Sequence, residues 1–135
     1  MKKIIIHTDG GARGNPGPAG IGAVLSDENG EVIKELSKYI GKATNNQAEY
    51  QALVLALEEA KNIGAKEIDV FMDSELIVKQ MNHEYKVKNK DLAPLFIKVY
   101  NLTLSFAKVS FKHVRRDSNK RADELVNLAI DKALA

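Results

Sequence analysis

The chain has 135 residues, which suits one domain with its own core and is too short for two. It is 44% hydrophobic and 28% charged and has no cysteine, so disulfide scaffolds, thiolate zinc centres and cysteine nucleophiles are excluded. Twenty Lys and Arg against 18 Asp and Glu leave +2, a sum that points to no acidic or nucleic-acid partner by itself, and no export or membrane segment is expected.

The longest apolar run, Ala52 to Leu57, is far below the ~20 residues of a membrane helix. Met-Lys-Lys at the start leads only into Ile4–Ile6, short of the roughly 7–15 apolar residues of a secretory signal. The expected setting is a soluble, cytoplasmic, monomeric domain covering residues 1–135.

In chain order, Lys3–Thr8 is β-branched and predicts a buried strand ending at Asp9. A Gly- and Pro-rich loop over 10–18 is expected next, then a strand over Gly20–Ser26. Asp27-Glu-Asn-Gly30 predicts a tight hairpin turn, because Asn-Gly accommodates positive φ. Glu31–Ile40 alternates apolar and polar and predicts a third strand, completing an antiparallel meander. Thr44-Asn-Asn46 offers caps for a helix over Ala48–Asn62, stopped by Gly64. Glu67–Met72 predicts a strand and Ser74 a cap for a short helix to Met81. A basic stretch over 86–90 precedes a helix of about fifteen residues opened by Asp91, with Pro94 in its first turn. Lys108–Val114 predicts the fifth strand, and a helix follows the polar loop 115–120. Three hairpin strands and two more returned through helices imply an α/β fold: a mixed five-stranded sheet with helices on both faces.

The glycine loop is not a nucleotide loop. Gly20-Ile-Gly22 lacks a third glycine where Leu25 stands, and Gly17 with Gly22 is followed by Ala23-Val24 rather than Lys-Ser/Thr. Both motifs also require a helix next, whereas Ile21–Leu25 reads as a strand. The glycines permit unusual dihedrals in a hairpin loop, and Gly10, Gly11 and Gly14 would also let a ligand approach the backbone beside Asp9.

Four acids close or open four separate elements. Asp9 and Asp73 end apolar strands, where ligands gather in α/β sheets, although Asp also serves turns there. Glu49 shares a helical stripe with Ala52, Leu53, Ala56, Ala60 and Ile63, so it heads a buried face and needs a partner or a cation. Asp123 lies just ahead of the stripe Leu125, Val126, Ala129, Ile130, Ala133. Both helix acids also complement a helix dipole. Together, four carboxylates without cysteine suit hard cations such as Mg²⁺ or Mn²⁺. A pair of such ions about 3.5–4 Å apart is the usual clamp for phosphodiester cleavage.

The segments Thr8-Asp-Gly-Gly-Ala-Arg-Gly-Asn-Pro-Gly17, Thr44-Asn-Asn-Gln-Ala-Glu49, Met72-Asp-Ser74 and Asn119-Lys-Arg-Ala-Asp-Glu-Leu125 resemble the motifs of the type 1 ribonuclease H family, in family order across nearly the whole chain. The resemblance implies that fold and two Mg²⁺ ions held by Asp9, Glu49, Asp73 and Asp123, with Asp9 bridging and Mn²⁺ able to substitute. It implies endonucleolytic cleavage of the RNA strand of an RNA–DNA hybrid, leaving 5′-phosphate and 3′-hydroxyl ends. Lys42 and Thr44 match residues that hold a DNA phosphate, and Asn15, Asn45 and Asn46 match minor-groove readers; Gly10, Gly11 and Ser74 belong to the same substrate-facing motifs. Capping is the competing role for Thr44 and Asn45.

Two departures stand out. Many members carry a His in the loop before the last acid; here the loop holds Arg115-Arg-Asp-Ser-Asn119 without one. Arg116 is the favoured replacement, by charge, and His113 on the preceding strand is the alternative; His7 and His83 read as structural or surface residues. Secondly, the basic protrusion of some members shrinks to Lys86, Lys88 and Lys90, so weaker hybrid affinity is expected. Double-stranded RNA is the rival substrate, and a non-catalytic hybrid- or RNA-binding module the rival class. The charge is also segregated: over residues 108–121 six basic side chains face Asp117 alone, a local +5.

Overall fold

The computed structural model describes residues 2–135. Strands β1 (Lys3–Ala12), β2 (Gly17–Ser26) and β3 (Val32–Ala43) form the meander. Helix α1 (Asn45–Ile63) leads to β4 (Glu67–Met72), α2 (Glu75–Met81), α3 (Ala93–Thr103), β5 (Lys108–His113) and α4 (Lys120–Leu134), with a 3-10 turn at Arg116–Ser118. The five strands lie in the order β3-β2-β1-β4-β5. β2 pairs antiparallel with β1 and β3, whereas β4 runs parallel to β1 and β5. The expected mixed sheet is therefore present. Helix α1, with α2 and α3, covers one face, and α4 lies over β1, β2 and β3 on the other.

Among the described residues, no helix is long and apolar enough to cross a membrane. The main core lies between the sheet and α1. There Ile4, Ile6, Ile68, Val70 and Met72 meet Tyr50, Leu53, Ala56, Leu57 and Ala60, all essentially inaccessible to solvent. This burial accounts for the β-branched runs in β1 and β4 and for the small-residue stripe of α1.

Several expected boundaries move. Asp9 does not end its strand: β1 continues through Gly10 and Gly11 to Ala12, paired with Ala19–Gly22 of β2, so the expected loop over 10–18 shrinks to residues 13–16. Gly14 remains in the loop and takes the positive φ of 100° expected there, whereas Gly10 and Gly22 are bare for helix packing. A Cβ on Gly10 would overlap the backbone of Ala48 and Glu49, and one on Gly22 would overlap the Ala122 carbonyl. The strands can thus continue while α1 and α4 press against them. β3 runs to Ala43, and α1 starts three residues before Ala48 because Thr44 caps it reciprocally. Thr44 Oγ1 accepts from Gln47 N–H at 3.1 Å, and Gln47 Oε1 accepts from Thr44 N–H at 2.9 Å.

Helix α3 has 11 residues, not about fifteen, and Asp91 does not cap it. Asn89 builds the entry turn instead: its Oδ1 accepts from Asp91 N–H and its carbonyl from Leu92 and Ala93. Asp73 stands one residue past β4, and Val114 one past β5.

Candidate active site

β1 and β4 are parallel neighbours with Thr8 opposite Met72, so the next residues, Asp9 still within β1 and Asp73 just past β4, stand side by side. Glu49 arrives from the first turns of α1, which crosses β1 where Gly10 has no side chain. The crossing is locked by a hydrogen bond from Gly10 N–H to Glu49 Oε1 at 2.7 Å. Oxygens of Asp9, Glu49 and Asp73 all lie within 4.8 Å of one another. Asp123, in the first turn of α4, lines the same cleft beside Asp9 but outside that compact trio.

Asp9 and Glu49 are only 8% and 6% exposed, and none of the ion pairs among the described residues involves any of the four acids. The electrostatic consequence is direct. Burial first, then the charges of Asp73 and Asp123, push the Asp9 carboxyl up to about 7. Burial, followed by Asp9 and Asp73, raises Glu49 well above the ordinary carboxylate range, while the Gly10 N–H pulls the other way. Uncompensated oxygen donors this close suit a hard divalent cation, and the residues fit that group.

The cleft, about 440 Å³, brings together most of the predicted residues. Gly10, Gly11, Asn45, Asn46, Ser74 and Arg116 line it with the four acids. Ser74 Oγ also accepts from Ile77 N–H at 3.3 Å and so caps α2. Asn15, Lys42, Thr44 and His113 are not among its lining. Asn15 Oδ1 accepts from Asn45 N–H at 3.0 Å, and Asn45 Oδ1 accepts from Ala12 N–H at 2.9 Å, tying the hairpin loop to the start of α1. Lys42 is exposed on β3 opposite Pro18. His113 is exposed at the end of β5, whereas Arg116 projects from the 3-10 turn to the cleft.

Arg13, Asn127, Val126 and Ile130 also line the cleft and were not singled out from sequence. Helical period offered the signal for one of them: Asn127 lies one turn after Asp123 and Asp131 a further turn on. Arg13 joins that row, pairing with Asp131 at 2.6 Å and donating to Asn127 Oδ1 at 3.3 Å. Away from the cleft, His7 is half-buried and stacked on Phe71 at 5.1 Å, and burial lowers its pKa. His83, at φ 62°, lies edge-on to Phe96 and Tyr100.

A family model described as reverse transcriptase-like matches residues 7–129. The bifunctional protein Rv2228c of Mycobacterium tuberculosis is 45% identical over 132 residues, covering 97% of this chain and 36% of that protein. The chain therefore spans little more than a third of the first such relatives. The ribonuclease H of Ruthia magnifica is 36% identical over 149 residues, with 98% of each covered. LC11-RNase H1, isolated from compost and solved in complex with an RNA/DNA hybrid, is 53% identical with a TM-score of 0.94, covering 98% of this chain and 99% of that one.

Proposed function

This chain belongs to the ribonuclease H family, and from that premise we propose that it is a metal-dependent endoribonuclease cutting the RNA strand of RNA–DNA hybrids. The observation that carries the proposal is the convergence of Asp9, Glu49 and Asp73 within 4.8 Å, uncompensated by any cation side chain among the described residues. The hybrid seen bound to LC11-RNase H1 supports the choice of substrate.

Asp9, Glu49, Asp73 and Asp123 would hold two Mg²⁺ or Mn²⁺ ions. Asp9, which feels the charges of both Asp73 and Asp123, would be the acid shared between the ions. Bound divalent ions supply a water acidified for attack and charge compensation at the leaving oxygen, so no protein nucleophile is required. The protein's own part is positioning. Gly10 N–H orients the Glu49 carboxylate, and Gly11, where a Cβ would meet only Val126 at 3.8 Å, presents bare backbone at the cleft. Asn45 and Asn46 present amides at the cleft wall, suited to sugar and base edges of a wide minor groove. Arg116 brings a cation to the same wall and is assigned to the phosphate near the leaving group. Lys42, exposed on β3, and Thr44 lie outside the cleft and would meet the backbone of a duplex extending beyond it. Water attack on the phosphorus with departure of the 3′-oxygen leaves 5′-phosphate and 3′-hydroxyl ends.

The test is cleavage of end-labelled RNA–DNA, RNA–RNA and DNA–DNA duplexes in Mg²⁺ and in Mn²⁺, with Asp73→Asn as control. Hybrid cleavage abolished by Asp73→Asn, with 5′-phosphate product ends, is expected. The proposal is falsified if folded protein leaves the hybrid intact in both metals. Equal cutting of RNA–RNA would broaden the substrate to double-stranded RNA.

A further inference from the structure

Asn at a helix N-cap ordinarily accepts a hydrogen bond from the first turn. Asn119 is the N-cap of α4 but makes no such bond. Its side chain belongs to a residue only 2% exposed, and it turns inward so that Nδ2 donates to the Thr8 carbonyl at 2.8 Å. The amide oxygen, Oδ1, is left buried without a partner. The helix thus gives up its cap and leaves a buried acceptor unsatisfied for this one contact, and each of those carries a cost.

The contact joins two particular points. Thr8 immediately precedes Asp9, and the Asn119 carbonyl accepts from Asp123 N–H at 3.2 Å in the first turn of α4. One side chain therefore links the backbone carrying Asp9 to the backbone carrying Asp123. Two other tethers of α4 lead to β3, Arg121 to Glu35 and Ser37 Oγ to the Leu125 carbonyl at 2.6 Å, and Arg13, just past β1, reaches Asn127 and Asp131 further along the helix. Gly20 and Gly22 set how deeply α4 sits on β2. Among the described residues, no other side-chain hydrogen bond ties the first turn of α4 to β1.

We propose that Asn119 is a positioning residue that sets the spacing between Asp9 and Asp123 and thereby the affinity of the site for divalent cations. The inference rests on the metal-dependent reading above. Loss of a group bonded directly to a metal ligand typically costs about 10–100-fold in affinity or activity, and a link through the adjoining backbone is expected to lie at the lower end of that range.

Asn119→Ser and Asn119→Ala separate positioning from structure. Serine is too short to reach Thr8 but is a good N-cap, so Asn119→Ser preserves or improves the helix while breaking the link. Mn²⁺ is titrated calorimetrically into the wild type and both variants, alongside thermal unfolding in EDTA and steady-state hybrid cleavage. The expected result is a folded Asn119→Ser protein, at least as heat-stable as Asn119→Ala. Its weaker Mn²⁺ site should lose about tenfold or more in affinity, and kcat should fall while KM for hybrid stays within twofold. Wild-type Mn²⁺ affinity in folded Asn119→Ser overturns the proposal, and so does failure of that variant to fold. Wild type that binds Mn²⁺ but leaves hybrid uncut defeats the ribonuclease reading instead, and the affinity comparison still judges Asn119.

Discussion

Replacing Asp9 by Asn should strengthen the metal-free fold. The carboxyl's ordinary value of 3.8 is raised to about 7, so the folded protein retains a proton that the unfolded chain releases. Stability from this group is complete below about pH 4 and is lost as pH rises through about 7. At about 1.36 kcal/mol per unit, ionised Asp9 costs the folded state up to roughly 4 kcal/mol above pH 8. Part of that is shared with Glu49, whose own penalty falls when Asp9 becomes neutral, so a gain of roughly 2–4 kcal/mol is expected. For a chain of this size that is a rise in Tm on the order of 10 °C.

The assay is thermal and urea unfolding of the wild type and Asp9→Asn in EDTA at pH 5 and pH 8. The variant should lead clearly at pH 8 and much less at pH 5, and saturating Mg²⁺ should erase the lead by stabilising only the wild type. A variant no more stable than the wild type at pH 8 refutes the reasoning. So does an equal gain at both pH values.

Other outcomes follow from single contacts. Gly10→Ala forces a Cβ into the backbone of Ala48 and Glu49; destabilisation of about 3 kcal/mol or more is expected in urea titration. Thr44→Ala removes the side-chain acceptor of the capping box and should cost about 1 kcal/mol, read as a lower urea midpoint with unchanged slope. Arg116→Ala should lower turnover about 10–100-fold by removing a cation from the cleft, while His113→Ala stays near wild type; the reverse ranking in steady-state kinetics would remove Arg116 from its assigned role.

Local chemistry made much of the fold legible. Asp27–Gly30 forms its turn as expected, with Asp27 Oδ1 accepting from Asn29 and Glu31 N–H and Gly30 at φ 83°. Thr44, Ser74 and Gly64 bound their helices for the same reason: each signal is complete within a few residues. What failed to show depends on partners far along the chain. Gly10 and Gly11 look like loop residues until β1 is seen to continue through them, and the need for a bare Gly10 shows only when α1 is laid against it. Asp91 carried the right side chain for a cap, but Asn89 two residues earlier claimed its N–H and began the turn.

The site shows the same division. The compact acids were visible because Glu49 heads a buried stripe, an anomaly in itself, and because Asp9 and Asp73 each follow an apolar strand run in the family's motif order. Asn15 and Asn45 engage each other in a loop-to-helix tie, which residue type alone does not distinguish from substrate contact. Arg13 gave no signal because its partners, Asn127 and Asp131, lie more than a hundred positions away.

The bond between Gly10 and Glu49 also makes the protein its own reporter. An amide proton whose nitrogen stands 2.7 Å from a carboxyl oxygen is deshielded according to how much negative charge that oxygen carries. Its glycine nitrogen also resonates apart from most of the backbone. The Gly10 cross-peak of a proton–nitrogen correlation spectrum therefore records, in one signal, whether Glu49 is protonated, ionised or engaged by a cation. Occupancy of the cleft can then be followed during a titration with no label, chromophore or substitution placed in it.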